Sequence, residues 1–295
     1  MTIPYPYIRP EIFRVGPFAL RWYGVMYIVG YAVGIGVARG RAKRGLIPFN
    51  EKQIDSLVGY LLVGMLIGAR LVYVFVYDPA AYAAHPLMAF AIWRGGLSFH
   101  GAVLGMTAAC VVFARRYHVP FWTVADTLAL GGTPGLFFGR IGNFINGELY
   151  GRPTSVAWAM VFPTDPLRLP RHPSQLYEAV CEGLLLYCLL RWLEGRAVRN
   201  RWYRPGLLAG AFLIFYGAFR FLLEFTRQPD IQLGLVFGPF SMGQVLSSLM
   251  IAAGAVVLIF IYNGAPSMNA AANDSKRIAG EVSSDSAHPA GGQSG

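Results

Sequence analysis

The sequence predicts an all-α polytopic membrane protein with about seven transmembrane helices. The chain is 55% hydrophobic and only 14% charged, which is too apolar for a soluble domain. Its apolar residues gather in stretches close to the roughly 20 residues that cross a bilayer core. Many of its lysines and arginines lie in every second connection between these stretches, as in the loops of a multi-pass protein.

Each apolar stretch that can span a bilayer is predicted to be a helix. These stretches cover residues 18–38, 54–77, 97–114, 121–142, 174–193, 205–225 and 241–262. The segment HPLMAFAIW before the third stretch is too short to span and is predicted to be an interfacial or re-entrant half-helix. An external arm joins the fourth and fifth stretches, and its VAWAMVFP segment is amphipathic and suited to lie on the membrane surface.

The basic residues predict the orientation. They follow the first, third and fifth stretches, at Arg39, Arg41, Lys43, Arg44 and Lys52, then Arg115 and Arg116, then Arg196, Arg199, Arg201 and Arg204. The positive-inside rule puts these connections in the cytoplasm, the amino terminus in the periplasm and the carboxyl terminus in the cytoplasm. Residues 1–263 therefore form a transmembrane domain, and residues 264–295, rich in Gly, Ala and Ser, are predicted to be a disordered cytoplasmic tail.

Topology accounts for most of the net charge of +10, with anionic lipid head groups as the natural partners. No nucleic-acid-binding motif is visible, so nucleic acid is not an expected partner. Cys110, Cys181 and Cys188 fall within predicted spans and lack metal-ligand spacing to histidines, so neither a metal site nor a cofactor is predicted.

Several polar residues remain within the spans or on the outer side. In the sixth stretch, Tyr216, Arg220 and Glu224 are four residues apart and share one helix face, where the last two can form an ion pair. Such a pair either pins two helices together or marks a functional site. A second polar group is GRIGNFINGELYG, which starts at Gly139.

In that second group, Arg140 and Asn143 share a helix face, and Gly139 and Gly142 permit close backbone approach. Asn146 and Glu148 then turn at the outer interface. A polar helix cap explains the asparagines and glycines but not the arginine.

Two histidine-containing segments lie at the outer ends of spans. RGGLSFHG brings His100 to the start of the third stretch, where a histidine is suited to accept a proton near neutral pH. RHPSQLYEA begins the fifth stretch, and Ser174 in it is a candidate helix cap.

Eight arginines on the outer side or within the spans are not explained by topology: Arg70, Arg94, Arg140, Arg152, Arg168, Arg171, Arg220 and Arg227. They are suited to bind phosphate, because guanidinium groups pair with its oxygens in a bidentate way. The predicted ligand is a phospholipid head group. A lipid or anion transporter is an alternative, but the chain shows neither an internal repeat nor polar clusters on both sides of the midplane. An assembly or chaperone subunit would leave His100 without a purpose.

The motifs resemble those of the prolipoprotein diacylglyceryl transferases of the bacterial inner membrane. Besides GRIGNFINGELYG, the chain carries RWYGVMYIVG, GARLVYV, RGGLSFHG, RHPSQLYE, YGAFRFLLEFTRQPD and SMGQVLS in family order from about residue 21 to 248. The resemblance implies transfer of the diacylglyceryl group of phosphatidylglycerol to the lipobox cysteine thiol of a preprolipoprotein. That transfer forms a thioether, releases glycerol phosphate and is the first step of lipoprotein maturation.

The resemblance also implies roles for individual residues. His100, Arg140 and Arg220 are the candidate catalytic residues, the first as base and the arginines on the phosphate. The candidate phosphatidylglycerol-binding residues are Arg140, Asn143, Asn146, Glu148, Gly151, Tyr23, Tyr216, Arg220 and Glu224. Thiol activation has two explanations at this stage, His100 as base or the electrostatic field of the arginines. The active site is expected at the outer leaflet of the inner membrane.

Overall fold

A computed structural model describes residues 2–16, 18–228, 235–237 and 240–264 of the chain. The predicted tail lies outside the described residues except for Gly264, which ends the last helix. The α-helices of the described part are α1 Trp22–Lys43, α2 Glu51–Val72, α3 Pro79–Ala84, α4 Phe99–Arg116, α5 Phe121–Asn146, α6 Ser174–Glu178, α7 Leu186–Arg199, α8 Leu207–Leu223 and α9 Met242–Gly264. Three small antiparallel hairpins accompany them, β1–β2 (Glu11–Val15, Phe18–Arg21), β3–β4 (Met160–Val161, Pro170–Arg171) and β5–β6 (Leu235–Phe237, Phe240–Ser241).

The first helix begins later than predicted. Residues 18–21 form β2, which pairs with β1, and the helix starts at Trp22. Apolar content alone does not distinguish a strand from the first turn of a helix. Here a strand partner is available from the preceding residues, so the backbone groups of this segment are satisfied by pairing.

Two of the long helices contain a π-helical segment. Helix α2 continues through Tyr73–Tyr77, and Ala179–Leu185 joins α6 to α7 as one continuous rod. Ser174 does not cap this rod as predicted, because its hydroxyl donates to the carbonyl of Leu149 at 3.0 Å. π-helical turns are rare and often lie at functional sites.

The long helices pack in closely spaced pairs, and the two helices of a pair run antiparallel. In the pair α2 and α4, a Cβ added to Gly64 would lie 2.6 Å from the carbonyl oxygen of Gly105. Small residues at such contacts let helix backbones approach closely, as is common in membranes. This pair carries His100 at the start of α4.

The end of the bundle that is remote from the arm is held by a buried polar network. Arg41, fully buried on α1, donates to Glu194 at 2.6 Å and to the hydroxyl of Tyr203 at 2.9 Å. Asp126 on α5 accepts from the backbone N–H groups of Gly206 and Ala209, at 2.9 and 2.8 Å. These contacts fix α1, α5, α7 and α8 relative to one another. This end of the bundle is the far end, and the opposite end is the arm end.

The arm, residues 147–173, packs on the protein. Ala159, Met160 and Phe162 of the VAWAMVFP segment are buried, and Trp158 is 51% exposed. The segment is thus amphipathic as predicted, with its buried side chains packed on the protein, and its position on the membrane surface stays a prediction. Pairing of β3 with β4 turns the buried side chains toward Tyr5 and Phe144.

The segment HPLMAFAIW forms short 3₁₀ helices, Pro86–Phe90 and Ile92–Arg94. The buried guanidinium of Arg70 donates to the carbonyls of Met88, Ala89 and Gly95 at 2.6 to 2.8 Å. One arginine thus satisfies the carbonyls of a loop that lacks regular backbone pairing.

By length and apolar composition, two of the described helical segments could cross a membrane, Glu51–Tyr77 and Met242–Asn263. Helices α1 and α5 are also long, with 22 and 26 residues, and each contains several glycines. The fold is predominantly helical and consistent with a helical membrane protein.

Candidate active site

Six charged side chains meet near the arm end. The charged cluster consists of three arginines and three glutamates, Arg140, Arg220, Arg227, Glu178, Glu182 and Glu224. They come from α5, from the rod that starts with α6, and from α8 with the residues that follow it. Elements far apart in sequence therefore place their few charges at one point.

Glu178 connects the three arginines. Its carboxylate lies 2.7 Å from Nε of Arg140 and 3.5 Å from Nη1 of Arg220, and it accepts a hydrogen bond of 2.9 Å from Arg227. Its side chain is 1% exposed. A buried carboxylate in contact with guanidinium groups from three segments fixes the relative position of those groups.

The ion pair predicted within α8 is confirmed. Nη2 of Arg220 lies 3.4 Å from Glu224, one helical turn along. Glu224 also accepts a hydrogen bond from Ser241 at 3.0 Å and lies 3.4 Å from Nε of Arg227. The pair is thus part of a larger cluster.

Glu182 lies one turn beyond Glu178 and differs from it. Its carboxylate is fully buried and lies 3.6 Å from Arg140 and 3.6 Å from Arg220. Neither of its oxygens has a hydrogen-bond partner among the described residues. It therefore acts on the arginines through charge and not through hydrogen bonds.

The two signs of charge differ in access. The side chains of Arg140, Arg220 and Arg227 are 20%, 18% and 16% exposed, whereas those of Glu178 and Glu182 are 1% and 0% exposed. An approaching ligand thus meets guanidinium groups before it meets these carboxylates. Such a surface favours an anion, and a planar donor fork suits a phosphate or carboxylate.

A polar loop lies next to the cluster, at the end of α5. The side-chain amides of Asn143 and Asn146 donate to the same oxygen of Glu148, at 2.9 and 3.2 Å. Gly147, with φ of +67°, ends the helix in the left-handed conformation that the turn requires. Glu148 is exposed at the arm end, whereas Oδ1 of Asn146 is buried and has no hydrogen-bond partner among the described residues.

Tyr23 lies beside this loop. A Cβ added to Gly142 would lie 2.9 Å from the ring of Tyr23, so the predicted close approach at Gly142 is confirmed. At Gly139, an added Cβ would meet none of the described residues within 4 Å. The hydroxyl of Tyr23 is 3.0 Å from that of Tyr27.

Gly151 positions Arg227. Its N–H donates to the carbonyl of His172 at 2.9 Å, and Arg152 donates from its backbone to Thr226 at 2.9 Å and from its side chain to the carbonyl of Arg227 at 2.7 Å. A side chain at Gly151 would collide with the carbonyl of Thr226. The arm thereby holds the segment that carries Arg227.

Tyr216 lies one turn before Arg220 and is half-buried. Its ring stacks on that of Phe212 at 5.4 Å. It borders the cluster on the far-end side.

His100 lies outside the charged cluster. Its ring is exposed, and Nδ1 is 3.3 Å from the hydroxyl of Tyr77. Tyr77 lies at the end of the helix that continues α2, and α2 packs against the α4 helix that carries His100. The structure describes His100 and all six residues of the cluster, and no hydrogen bond or ion pair joins His100 to any of the six.

Glu178 and Glu182 are functional candidates that were not predicted from the sequence. These residues repeat the spacing of Arg220 and Glu224, since they are four apart in an otherwise apolar stretch. Applying the same helical argument to the fifth stretch would have found a helix face that carries these two carboxylates.

Known proteins of one family are similar to this chain over most of its length. A family model described as "Prolipoprotein diacylglyceryl transferase" matches residues 10–260. A phosphatidylglycerol–prolipoprotein diacylglyceryl transferase of Bordetella parapertussis (strain 12822) is 46% identical over 259 residues, which are 88% of this chain and 97% of the relative. Proteins of the same name from Nitratidesulfovibrio vulgaris (strain Miyazaki F) and Geobacter sulfurreducens are 46% and 44% identical, over 87% of this chain and 95% and 96% of their own lengths.

Proposed function

Since the chain belongs to the prolipoprotein diacylglyceryl transferase family, we propose that its charged cluster is where the phosphate of phosphatidylglycerol leaves during diacylglyceryl transfer. The chain is a transferase that moves the diacylglyceryl group from phosphatidylglycerol to a prolipoprotein, the activity for which its relatives are named. The single observation that carries the site assignment is the set of three partly exposed guanidinium groups in front of buried carboxylates.

The reaction requires stabilisation of a phosphate leaving group. The cysteine sulfur of the prolipoprotein forms a bond to the terminal glycerol carbon of the diacylglyceryl group, and the bond from that carbon to the phosphate oxygen breaks. The electron pair of the broken bond stays on the phosphate oxygen, so negative charge grows there. Fixed cationic donors aimed at a developing charge lower the barrier in a site from which water is excluded.

Arg140 and Arg220 supply this charge from two different helices. Both are tied to the same carboxylate, that of Glu178, so their separation is fixed before substrate arrives. Glu224 holds Arg220 from the next turn of α8. Preorganisation of this kind avoids the reorganisation that water would need during the reaction.

The polar loop is assigned to the glycerol head group. Asn143, Asn146 and Glu148 offer amide and carboxylate groups suited to hydroxyls, and Tyr23 lies beside them. Gly151 allows the arm to pack closely on the segment that carries Arg227. Tyr216, one helical turn before Arg220, is assigned to the same binding site.

Thiol activation has two candidates. A thiol with an unperturbed pKa of about 8.5 must lose its proton before it attacks. His100 is exposed and can accept that proton directly if the substrate cysteine approaches along α4. The arginine cluster can instead favour the thiolate through its charge.

The membrane arrangement is proposed on the same basis. The chain crosses the bacterial inner membrane about seven times, with the amino terminus in the periplasm, the carboxyl terminus in the cytoplasm and the charged cluster toward the outer leaflet. The alternating helices support this topology, as does the position of the basic connections after α1, α4 and α7, at the end remote from the cluster.

The proposed function is tested with the purified full-length protein, phosphatidylglycerol and a lipobox peptide that contains one cysteine. We expect release of glycerol phosphate and a mass gain of one diacylglyceryl unit on the peptide. A peptide with serine in place of that cysteine is the control and should gain no mass. If folded protein yields neither product, the transferase function is wrong.

A further inference from the structure

Glu182 is a buried carboxylate beside two arginines, and the described residues offer it no hydrogen bond, in a site proposed to bind phosphate. We propose that Glu182 is a counter-charge that weakens phosphate binding at the arginines and so speeds release of the phosphate-bearing product. This inference rests on the proposed function, because it assigns the arginines to phosphate. It gives Glu182 a role in turnover that is distinct from holding the arginines in place.

The contacts of the two buried carboxylates separate these roles. Glu178 lies 2.7 Å from Arg140 and accepts a 2.9 Å hydrogen bond from Arg227, so it positions both groups. Glu182 stays 3.6 Å from Arg140 and from Arg220, with neither oxygen hydrogen-bonded. Removing its charge would leave the short contacts of Glu178 in place.

Burial without hydrogen bonds makes Glu182 expensive for the fold. A carboxylate removed from water loses its hydration, and ion pairs repay that loss fully only when the geometry is good. At this position an uncharged residue of similar volume would be at least as stable. Retention of the charge is therefore explained better by an effect on the ligand than by an effect on stability.

That effect is larger on the product than on the substrate. Phosphatidylglycerol carries one negative charge on its phosphodiester, whereas glycerol phosphate is a monoester whose second pKa is about 6, so it carries nearly two at neutral pH. A fixed negative charge behind the arginines repels the second species about twice as strongly. The substrate is then retained in preference to the product.

The charge balance of the cluster gives the expected magnitude. Three arginines face three glutamates, so loss of one carboxylate leaves an excess of one positive charge. At an effective dielectric constant of roughly 20 to 40, a unit charge several ångströms from a bound anion changes its affinity by about tenfold or more. The change should be a tightening.

The experiment compares wild type with Glu182→Gln, which keeps the side-chain shape and removes the charge. The inhibition constants of glycerol phosphate and of inorganic phosphate are measured in the peptide lipidation assay. We expect both to fall by about tenfold in the variant, and the KM for phosphatidylglycerol and kcat to fall together because product leaves more slowly. Glu182→Asp retains the charge and should keep inhibition constants near those of wild type.

Glu194→Gln is the matched control. Glu194 is also buried and bound to an arginine, at 2.6 Å from Arg41, but it lies at the far end of the same rod. Its variant should lose thermal stability without a change in either inhibition constant. A general loosening of the protein is thereby separated from a local change of charge.

Two results would overturn the inference. The first is an unchanged or weakened inhibition by phosphate in folded Glu182→Gln. The second is failure of both Glu182→Gln and Glu182→Met to fold while Glu182→Asp folds, which would make the charge structural. If wild type itself is active but insensitive to both phosphates, the phosphate assignment of the arginines fails first; if wild type is inactive, the proposed function fails.

Discussion

At the residue scale, Arg140 is the clearest test of bidentate phosphate recognition. Arg140→Lys keeps the positive charge but replaces the planar fork with a single ammonium group. We expect kcat/KM to fall by about 100-fold or more, the usual loss when one charge-stabilising donor is removed. The measurement is initial-rate kinetics with phosphatidylglycerol and the lipobox peptide.

Arg116→Lys is its control, because Arg116 is an exposed arginine at the far end of α4. Its activity should equal that of wild type. If Arg140→Lys retains near-normal turnover, Arg140 does not clamp the phosphate and the assignment moves to the remaining arginines of the cluster.

His100→Gln separates the two candidates for thiol activation. A glutamine cannot accept the thiol proton, so if His100 is the base, kcat should fall by about 100-fold. The loss should shrink as pH rises toward the pKa of the free thiol. Retention of full activity across the pH range would assign thiol activation to the arginine cluster, as the separate position of His100 favours.

The residue scale is also where sequence reasoning reached its limit. Arg220 and Glu224 were paired correctly because four residues on a helix share a face. The contacts of Arg140 with Glu178 and Glu182 join helices more than 30 positions apart, and helical periodicity says nothing about which faces meet. The sequence therefore indicated that these charged residues are functional, but it did not predict which of them contact one another.

At the element scale, the arm is held by one buried ion pair whose strength depends on pH. Asp165 accepts from Arg171 at 2.6 and 3.0 Å and from the N–H groups of Leu167 and Leu169 at 3.2 and 3.1 Å. The hydrogen-bonded Arg171 guanidinium holds the pKa of this carboxyl below its usual range, although burial acts in the opposite direction.

Because the folded pKa of Asp165 lies below the unfolded value of about 3.9, its stabilisation is complete above that pH. It is lost as pH falls through the folded pKa. We expect Asp165→Asn to increase hydrogen exchange at Leu167 and Leu169 at pH 7, and to remove this acid-dependent step. Glu11→Gln, at an exposed pair in β1, is the control and should leave exchange in the arm unchanged. Equal exchange in wild type and Asp165→Asn would contradict this role.

The glycine contacts between α2 and α4 make a second prediction at this scale. Gly105→Ala would push a methyl group into the backbone of Gly64, so we expect a loss of about 1–3 kcal/mol of stability. Gly59→Ala on α2 is the matched control, since a Cβ there meets nothing within 4 Å. Thermal unfolding in detergent measures both. Similar stability of the two variants would show that this helix pair is not closely packed.

Helix positions were predictable because bilayer thickness sets their length and composition marks them. The structure places a helix over most of every predicted stretch, with the first beginning at Trp22 instead of residue 18. The hairpins and π-helical segments were not predictable, because they depend on partners and register that a hydropathy pattern does not contain. The packing of Phe162 against Tyr5 and Phe144 was not predictable for the same reason.

At the scale of the whole molecule, the two ends of the bundle differ in kind. The far end holds a hydrogen-bonded network in which Arg41 is fully buried and bonded to three side chains. The arm end holds the charged cluster, where arginines are partly exposed and several buried oxygens lack hydrogen bonds. The far end therefore holds the helices together, whereas the arginines of the arm end are accessible to an anionic ligand.

The most direct test of the charged cluster as the site of phosphate departure follows both products at once in wild type and Arg220→Lys. Wild type should release glycerol phosphate and lipidate the peptide in equal amounts. In the variant, both rates should fall together by about 100-fold, because the leaving phosphate loses a bidentate donor. Folded Arg220→Lys that forms both products at the wild-type rate would contradict the assignment of this cluster to the reaction.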